Sequence, residues 1–254
     1  MRGLKDRQVI VTGGGAGIGR AISQRLAEEG CKVGILDVNE AAARDTAAAI
    51  AKAGGRAEAY RTDITDYAAV EDAVTRFERD VGPTHFLVNN AGWDLAVNFL
   101  DTEPSFWQKV VAINLFGPLN LHHIVLKRMA ERGFGRVVNV SSDAGRVGST
   151  GEAVYSACKG GIIAFTKTVA RELVKRGVIL NTMCPGPTDT NLLASFFEGP
   201  AGEKLSESLK RAIPMRRLGT PEDYPGIVAF LLSDDAGFIT GQTISVSGGL
   251  TMHG

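Results

Sequence analysis

The stretch Gln8-Val9-Ile10-Val11-Thr12-Gly13-Gly14-Gly15-Ala16-Gly17-Ile18-Gly19 decides the architecture. Its first half is an apolar, β-branched run of the kind that lies in a parallel sheet covered on both faces. Its second half is rich in glycine, and Arg20-Ala21-Ile22-Ser23-Gln24-Arg25-Leu26-Ala27-Glu28-Glu29 then places apolar residues at helical spacing. Glycine allows a tight turn and a close backbone approach. A helix N-terminus offers free N–H groups and a partial positive charge to a pyrophosphate. A glycine cluster by itself says little, but between a strand and a helix it predicts a dinucleotide site.

Such a site asks for an acid at the end of the second strand. Lys32-Val33-Gly34-Ile35-Leu36-Asp37 supplies one, with Asp37 eighteen residues beyond Gly19. A carboxylate there accepts both hydrogen bonds of an adenosine ribose diol and repels a 2′-phosphate, so NAD is expected in preference to NADP. Asp is also used as a helix N-cap or turn residue, here before Asn39, and the two roles can coexist.

Strand-like and helix-like segments alternate along the rest of the chain. Strands are expected near 8–13, 32–37, 56–61, 84–89, 135–141, 178–184 and 242–247, and helices near 17–29, 40–53, 66–80, 103–131, 152–176 and 221–233. Right-handed crossovers then give a single-domain α/β fold over residues 1–254, a Rossmann-type doubly wound parallel sheet of about seven strands with helices on both faces. Ligands bind such sheets beyond the carboxyl ends of the strands. That edge receives Gly13 to Gly19, Asp37, Asp63, Asn89 to Gly92, Ser141 and Ser142, and Cys184 to Thr190.

Tyr155-Ser156-Ala157-Cys158-Lys159 stands thirteen residues after Ser142. Residues i and i+4 share a helix face, so the Lys159 ammonium can act on whatever the Tyr155 phenol touches. A free phenol titrates near ~10, and a fixed cation beside it is expected to pull that value down toward the range of an efficient general base. The pair reads as a device for moving a proton off an alcohol. Tyr-x-x-x-Lys alone is also what a surface tyrosine followed by a solvated lysine looks like.

The 254 residues, 44% hydrophobic and with 31 glycines, suffice for one substantial α/β domain. Lys plus Arg and Asp plus Glu number 28 each, so no global field draws the chain to nucleic acid or to an anionic membrane. Cys31, Cys158 and Cys184 are scattered without metal-ligand spacing, which fits neither a disulfide framework nor a zinc site. No metal is expected. With no charged lead and apolar h-region, and no apolar stretch of the ~20 residues a membrane span needs, a cytoplasmic protein is expected.

Taken together, these motifs resemble the short-chain dehydrogenase/reductase family over essentially the whole chain. The turn from Thr12 to Gly19 matches its cofactor loop, Asn89-Asn90-Ala91-Gly92 its strand end, and Pro185-Gly186 the turn at the nicotinamide end. Asn114, Ser142, Tyr155 and Lys159 match its catalytic tetrad. The resemblance implies that Tyr155 takes the hydroxyl proton of a secondary alcohol as it is oxidised to a ketone, with NAD as cofactor. It implies that Lys159 lowers the tyrosine pKa and holds the nicotinamide ribose, and that Ser142 donates to the substrate oxygen. Asn114 would hold a water linking Lys159 to solvent; taken alone, it reads as a helix-interior Asn bonding local backbone. Thr12, Gly13, Gly15, Gly17, Ile18 and Gly19 would cradle the cofactor, Asp63 and Ile64 would flank the adenine, Asn90 would face the adenosine ribose, and Ala91 and Gly92 would also bind the cofactor. Pro185, Gly186, Thr188 and Thr190 would meet the nicotinamide end or the phosphates. Thr188 departs from the family's usual Val or Ile.

The segment at about 189–215 is expected to be a substrate lid, with Trp93, Leu192, Phe196 and Phe197 as wall residues or as ordinary packing. Lys204, Lys210, Arg211, Arg216 and Arg217 gather there, either to meet the phosphates of a coenzyme A thioester or as a solvated face. Asn90-Ala91-Gly92-Trp93-Asp94, Gly151-Glu152-Ala153-Val154-Tyr155 and Cys184-Pro185-Gly186-Pro187-Thr188-Asp189-Thr190 resemble the 2-hydroxycyclohexanecarboxyl-CoA dehydrogenases of alicyclic and aromatic acid degradation. That likeness implies a ring alcohol beside a thioester as the small-molecule substrate. The alternatives are a 3-oxoacyl thioester reductase, a dehydrogenase of a free cyclic or aromatic alcohol, and a catalytically silent NAD-binding subunit. The family also implies a homotetramer, built through the helix of Tyr155, its neighbour at 103–131 and the last strand with the C-terminal tail, which could approach another subunit's site. Pro225, early in the last helix, departs from the usual pattern at modest cost.

Overall fold

A computed structural model describes residues 1–190 and 200–252. Seven strands form one sheet in the order β3-β2-β1-β4-β5-β6-β7. They are β1 (Gln8–Thr12), β2 (Lys32–Asp37), β3 (Arg56–Arg61), β4 (Phe86–Asn89), β5 (Gly135–Val140), β6 (Val178–Pro185) and β7 (Thr243–Val246). Every pairing is parallel. The chain winds outward from β1 through β2 to β3, returns to β4 on the other side of β1, and winds outward again. The carboxyl ends of β1 and β4 therefore flank a topological switch point, where such sheets open a crevice for a ligand.

Alternation along the strands splits the core in two. Val9 and Val11 of β1 pack with Ile22, Leu26, Ile35 and Val228 on one face. Ile10, between them, packs with Leu36, Phe77, Leu87, Leu121 and Val125 on the other. Helices cover both sides of this double-faced sheet, in the manner the alternating sequence requires. They include α1 (Gly17–Glu28), α2 (Glu40–Lys52), α3 (Tyr67–Asp80), α4 (Pro104–Val111), α5 (Gly117–Arg132), α6 (Ala144–Val147), α7 (Ala153–Leu173), α8 (Pro200–Ala212) and α9 (Pro225–Leu232).

Side-chain chemistry sets the helix starts. Asn39 caps α2 by accepting from Ala42 N, and Asp66 caps α3 by accepting from Ala68 N and Ala69 N. The cap of α2 is thus Asn39 and not Asp37, whose Oδ1 instead accepts from Asn39 N at 2.9 Å.

Two expected helices are divided. The segment near 103–131 comprises α4, a π-type turn over Ala112–Phe116 and α5. Joined, these make a helix of 29 residues, Pro104–Arg132, long and apolar enough by length and composition to cross a membrane, with half of its most apolar window buried. This corrects the expectation that no stretch reaches that length. Within this helix Leu121, Val125 and Met129 are fully buried in the protein's own core. The segment near 221–233 is a 3-10 turn, Pro221–Asp223, followed by α9. Pro225 has no N–H to carry helical hydrogen bonding back into that turn, and it opens α9 at a position where proline is tolerated. Short α6 and α8 are not among the expected helices.

Candidate active site

Beyond the carboxyl ends of the strands lies an open cleft of about 1440 Å³. At one end the β1–α1 turn is shaped by glycine where nothing larger fits. Gly13 and Gly17 have φ of +63° and +50°. A Cβ on Gly19 would sit 2.1 Å from Gly13 O. Ala16, at the start of α1, makes no side-chain cap, so the first N–H groups of that helix are left for a ligand in the cleft. Across the turn, Asp37 Oδ2 accepts from Gly15 N at 3.0 Å, and with both oxygens braced the carboxylate lines the cleft. Backbone donors at one point and a fixed carboxylate beside them match the phosphates and ribose of a nicotinamide dinucleotide. The residues fit that group.

Thr12, Asn90 and Ala91 form the joint between β1 and β4. Thr12 Oγ1 accepts from Asn90 N and Ala91 N at 3.0 and 3.1 Å, and Asn90 Nδ2 donates to Thr12 O and Gly13 O at 3.1 and 3.2 Å. Thr12 is buried, and these residues hold the glycine turn in place. Ile64 is buried in the core but also reaches the cleft wall, as does exposed Asp63, whose Oδ1 is held by Thr65 N and Oγ1.

The chemistry-bearing residues meet in the middle of the cleft. Ser142 follows β5, and Tyr155 and Lys159 rise from the first turns of α7; all three line the cleft. Ser142 is within hydrogen-bonding reach of the Tyr155 phenol. Lys159 Nζ donates to Val140 O at 3.1 Å and lies 5.4 Å from the centre of the Tyr155 ring. In this arrangement the Tyr155 phenol as a whole is not brought below its ordinary value. Burial pushes the phenol up from its ordinary value, the nearby Glu152 and Asp94 carboxyls add to that, and the Ser142 hydrogen bond opposes it. Lys159, also buried, is itself brought down to about 8. Desolvation outweighs the cation because the ammonium is turned to a main-chain carbonyl and not to the phenol.

Asn114 sits in the π-type turn and is fully buried. Its Nδ2 donates to Trp93 O and Val110 O at 2.6 and 2.9 Å, and its Oδ1 accepts from Trp93 N at 3.2 Å. Both amide donors are spent, so a water held by this side chain could only donate to Oδ1. A Cβ on Gly92 would lie 2.9 Å from that Oδ1 and 3.5 Å from Lys159 Nζ; glycine is what lets Asn114 and Lys159 approach each other.

Pro185, Gly186, Thr188 and Thr190 border the cleft after β6. Thr188 Oγ1 donates to Gly186 O at 2.8 Å and pairs with the buried Tyr224 hydroxyl. This accounts for a threonine there: its hydroxyl satisfies Tyr224, a partner nothing in the local sequence announces. Trp93 lines the cleft, edge-on to Phe106, with Lys109 Nζ 3.6 Å above its ring. Leu192, Phe196 and Phe197 lie outside the described residues. Of the basic residues, the side chain of Lys204 lies outside the described residues. Arg217 pairs with Asp223 at 2.6 Å, Lys210 with Glu207 at 2.8 Å, and Arg216 donates to Arg211 O. None of these four lines the cleft, while Leu250 and Thr251 of the tail line their own chain's cleft. Among the described residues no three His, Cys, Asp or Glu side chains are grouped to hold a metal. Asp94 and Glu152, which bear on Tyr155, were not singled out as site residues. The available signal was a lone carboxylate within the otherwise apolar run Trp93-Asp94-Leu95-Ala96-Val97.

Comparisons with known proteins agree with this geometry. Residues 13–251 match the family model described as enoyl-(acyl carrier protein) reductase. An acetoacetyl-CoA reductase of Shinella zoogloeoides is 41% identical over 244 residues, 96% of this chain and 98% of that protein. The human (3R)-3-hydroxyacyl-CoA dehydrogenase is 35% identical over 261 residues, covering 98% and 97%. Among solved structures, a tryptophan-substituted actinorhodin polyketide ketoreductase with NADPH superposes with a TM-score of 0.93 at 32% identity, covering 100% of both chains.

Proposed function

This chain belongs to the short-chain dehydrogenase/reductase family, oxidoreductases that use a nicotinamide cofactor, and we propose that it interconverts a secondary alcohol and a ketone placed two carbons from a coenzyme A thioester carbonyl, with NAD. The observation that carries the reading is the convergence of Ser142, Tyr155 and Lys159 on one wall of the cleft, with Lys159 Nζ 5.4 Å from the centre of the Tyr155 ring. Ser142 polarises and orients the substrate oxygen. Tyr155 exchanges the proton on it. Lys159 and Asn114 fix the floor, and Gly13 to Gly19 with Asp37 hold the dinucleotide. When bound, the cofactor supplies hydride exchange at its nicotinamide ring.

The upward displacement of the Tyr155 pKa has a consequence for direction. A phenol that keeps its proton at neutral pH is ready to give it to a ketone, whereas taking one from an alcohol calls for raised pH. This agrees with the reductase in the name of one relative and the dehydrogenase in that of another.

For the substrate, acetoacetyl-CoA and 3-hydroxyacyl-CoA carry their reacting oxygen on the carbon β to the thioester carbonyl. So does 2-hydroxycyclohexane-1-carbonyl-CoA, in which that carbon is part of a ring. The motif likeness to the ring-alcohol dehydrogenases and the names of the relatives thus converge on one functional group, and Trp93 offers a flat wall for a ring. Asp37 supports NAD, since a 2′-phosphate beside it would be repelled. We further propose a cytoplasmic homotetramer, with the segment at about 189–215 serving as the substrate lid.

Initial rates of NAD reduction with 2-hydroxycyclohexane-1-carbonyl-CoA, (3R)-3-hydroxybutyryl-CoA and free cyclohexanol, repeated with NADP, test this. The highest kcat/KM with the ring thioester and NAD is expected. A preference for the linear thioester would move the assignment to 3-hydroxyacyl chemistry, and comparable rates with cyclohexanol would remove the thioester from recognition.

A further inference from the structure

Asp94 follows β4 and is only 3% exposed, and its Oδ2 has no hydrogen-bond partner among the described residues. Facing it is Glu152, the residue that precedes α7, within hydrogen-bonding reach of the Asp94 carboxyl. The space around them is walled by Val97, Phe99, Phe106 and Val154. The Thr102 hydroxyl on this wall is engaged with Trp107 Nε1 and Phe99 O, and the main-chain N–H of Leu95 is a donor that bears on the Asp94 carboxyl. Ionised carboxylates are acceptors only, so two of them face to face have nothing to exchange. One proton between them turns the orphaned oxygen into a partner.

We propose that Asp94 and Glu152 share a single proton, and that this pair sets the charge beside Tyr155 by holding one negative charge where two carboxylates would hold two. The proposal rests on the reading of Tyr155 as the proton-transfer group. Neither carboxyl is asked to touch substrate; they are positioning residues that act through the field.

The surroundings favour retention of the proton. Tyr155, Cys158 and Lys159 of α7 face Asp94's neighbourhood, Cys184 of β6 lies behind Lys159 and Tyr155, and Lys109 of α4 sits over the adjoining Trp93 ring. Of these, Lys159 is the cation that attracts Asp94, and burial brings its own pKa down to about 8. Burial and the Glu152 charge lift the Asp94 carboxyl to about 7. Both carboxyls raise the Tyr155 pKa when charged. As pH climbs through neutrality the pair loses its shared proton, its charge doubles, and Tyr155 becomes harder to deprotonate. The charged pair thus holds Tyr155 in its protonated form and keeps the phenolate scarce.

A ¹³C NMR titration of the free protein labelled at aspartate carboxyl carbons reads this without turnover, with Asp94→Asn identifying the resonance. The Asp94 signal is expected to titrate near neutral pH and to move down by about one unit or more in Glu152→Gln, whose amide donates to Asp94. A midpoint near ~4 in the unaltered protein, the ordinary carboxylate value, would overturn the shared proton. In the oxidative direction, Asp94→Asn, which fixes the pair at one charge, is expected to shift the rising limb of kcat/KM against pH downward by about half to one unit. An unmoved limb would overturn control of Tyr155. If Tyr155 proves not to be the base, the titration still stands or falls on its own.

Discussion

The Asp37 carboxylate is held by Gly15 N and Asn39 N, so it cannot swing away from an incoming 2′-phosphate. On the proposed reading, its charge more than its shape would set the preference between cofactors. Asp37→Ser is expected to bring the ratio of kcat/KM for NADP over NAD up by about tenfold or more, corresponding to ~1.4 kcal/mol; an unchanged ratio would show that Asp37 does not set the preference. At this scale much of the site was legible. Asp37, Ser142, Tyr155 and Lys159 carry residue-type and spacing signals, and all four reach one cleft. What spacing could not convey is orientation. Four residues along a helix put Lys159 near Tyr155, but the ammonium turns to Val140 O, a contact that exists only once β5 and α7 are packed. Thr188 is a further instance, since its partner Tyr224 is 36 residues away.

At the scale of elements, strand positions were read almost to the residue, because an apolar run between glycines and polar turns leaves few alternatives for a parallel strand. Helix interiors were less legible. The run at 103–131 has continuous helical periodicity, which a π-type turn preserves on both sides, so the turn that seats Asn114 left no trace in the pattern. The helix α5 also carries His122, fully enclosed beside Asn89 and the Phe165 ring, and burial brings its pKa down to about 4. The unfolded chain binds a proton at this histidine below about 6.5, and the folded chain does not until about 4. Its effect on stability is therefore absent above pH 6.5, grows as pH falls through that window, and is complete below it at about 3 kcal/mol of lost stability. His122→Asn or His122→Gln, measured by urea unfolding between pH 7 and 4, should flatten that fall; an equally steep fall would assign acid sensitivity elsewhere.

The whole molecule places its chemistry by topology. Reversal of winding at β1 and β4 opens the crevice, and the carboxyl ends of β1, β2, β4, β5 and β6 deliver the glycine turn, Asp37, Asn90, Ser142 and the turn at Pro185 to one edge. β7, the last strand of the sheet, is only half-buried along its length, which leaves it available to a second copy. Light scattering is expected to give a mass near four times 26.9 kDa; a monomer at micromolar concentration would contradict the tetramer.

The central claim is that Tyr155 transfers the proton in a dinucleotide-dependent reaction. Tyr155→Phe removes one oxygen and leaves the Gly13 to Gly19 turn and Asp37 untouched. Single-turnover rate and NAD affinity should therefore be measured side by side in this variant. The account predicts a loss of turnover of about 10²-fold or more, with NAD affinity within about threefold of the unaltered protein. Turnover equal to that of the unaltered protein would contradict it.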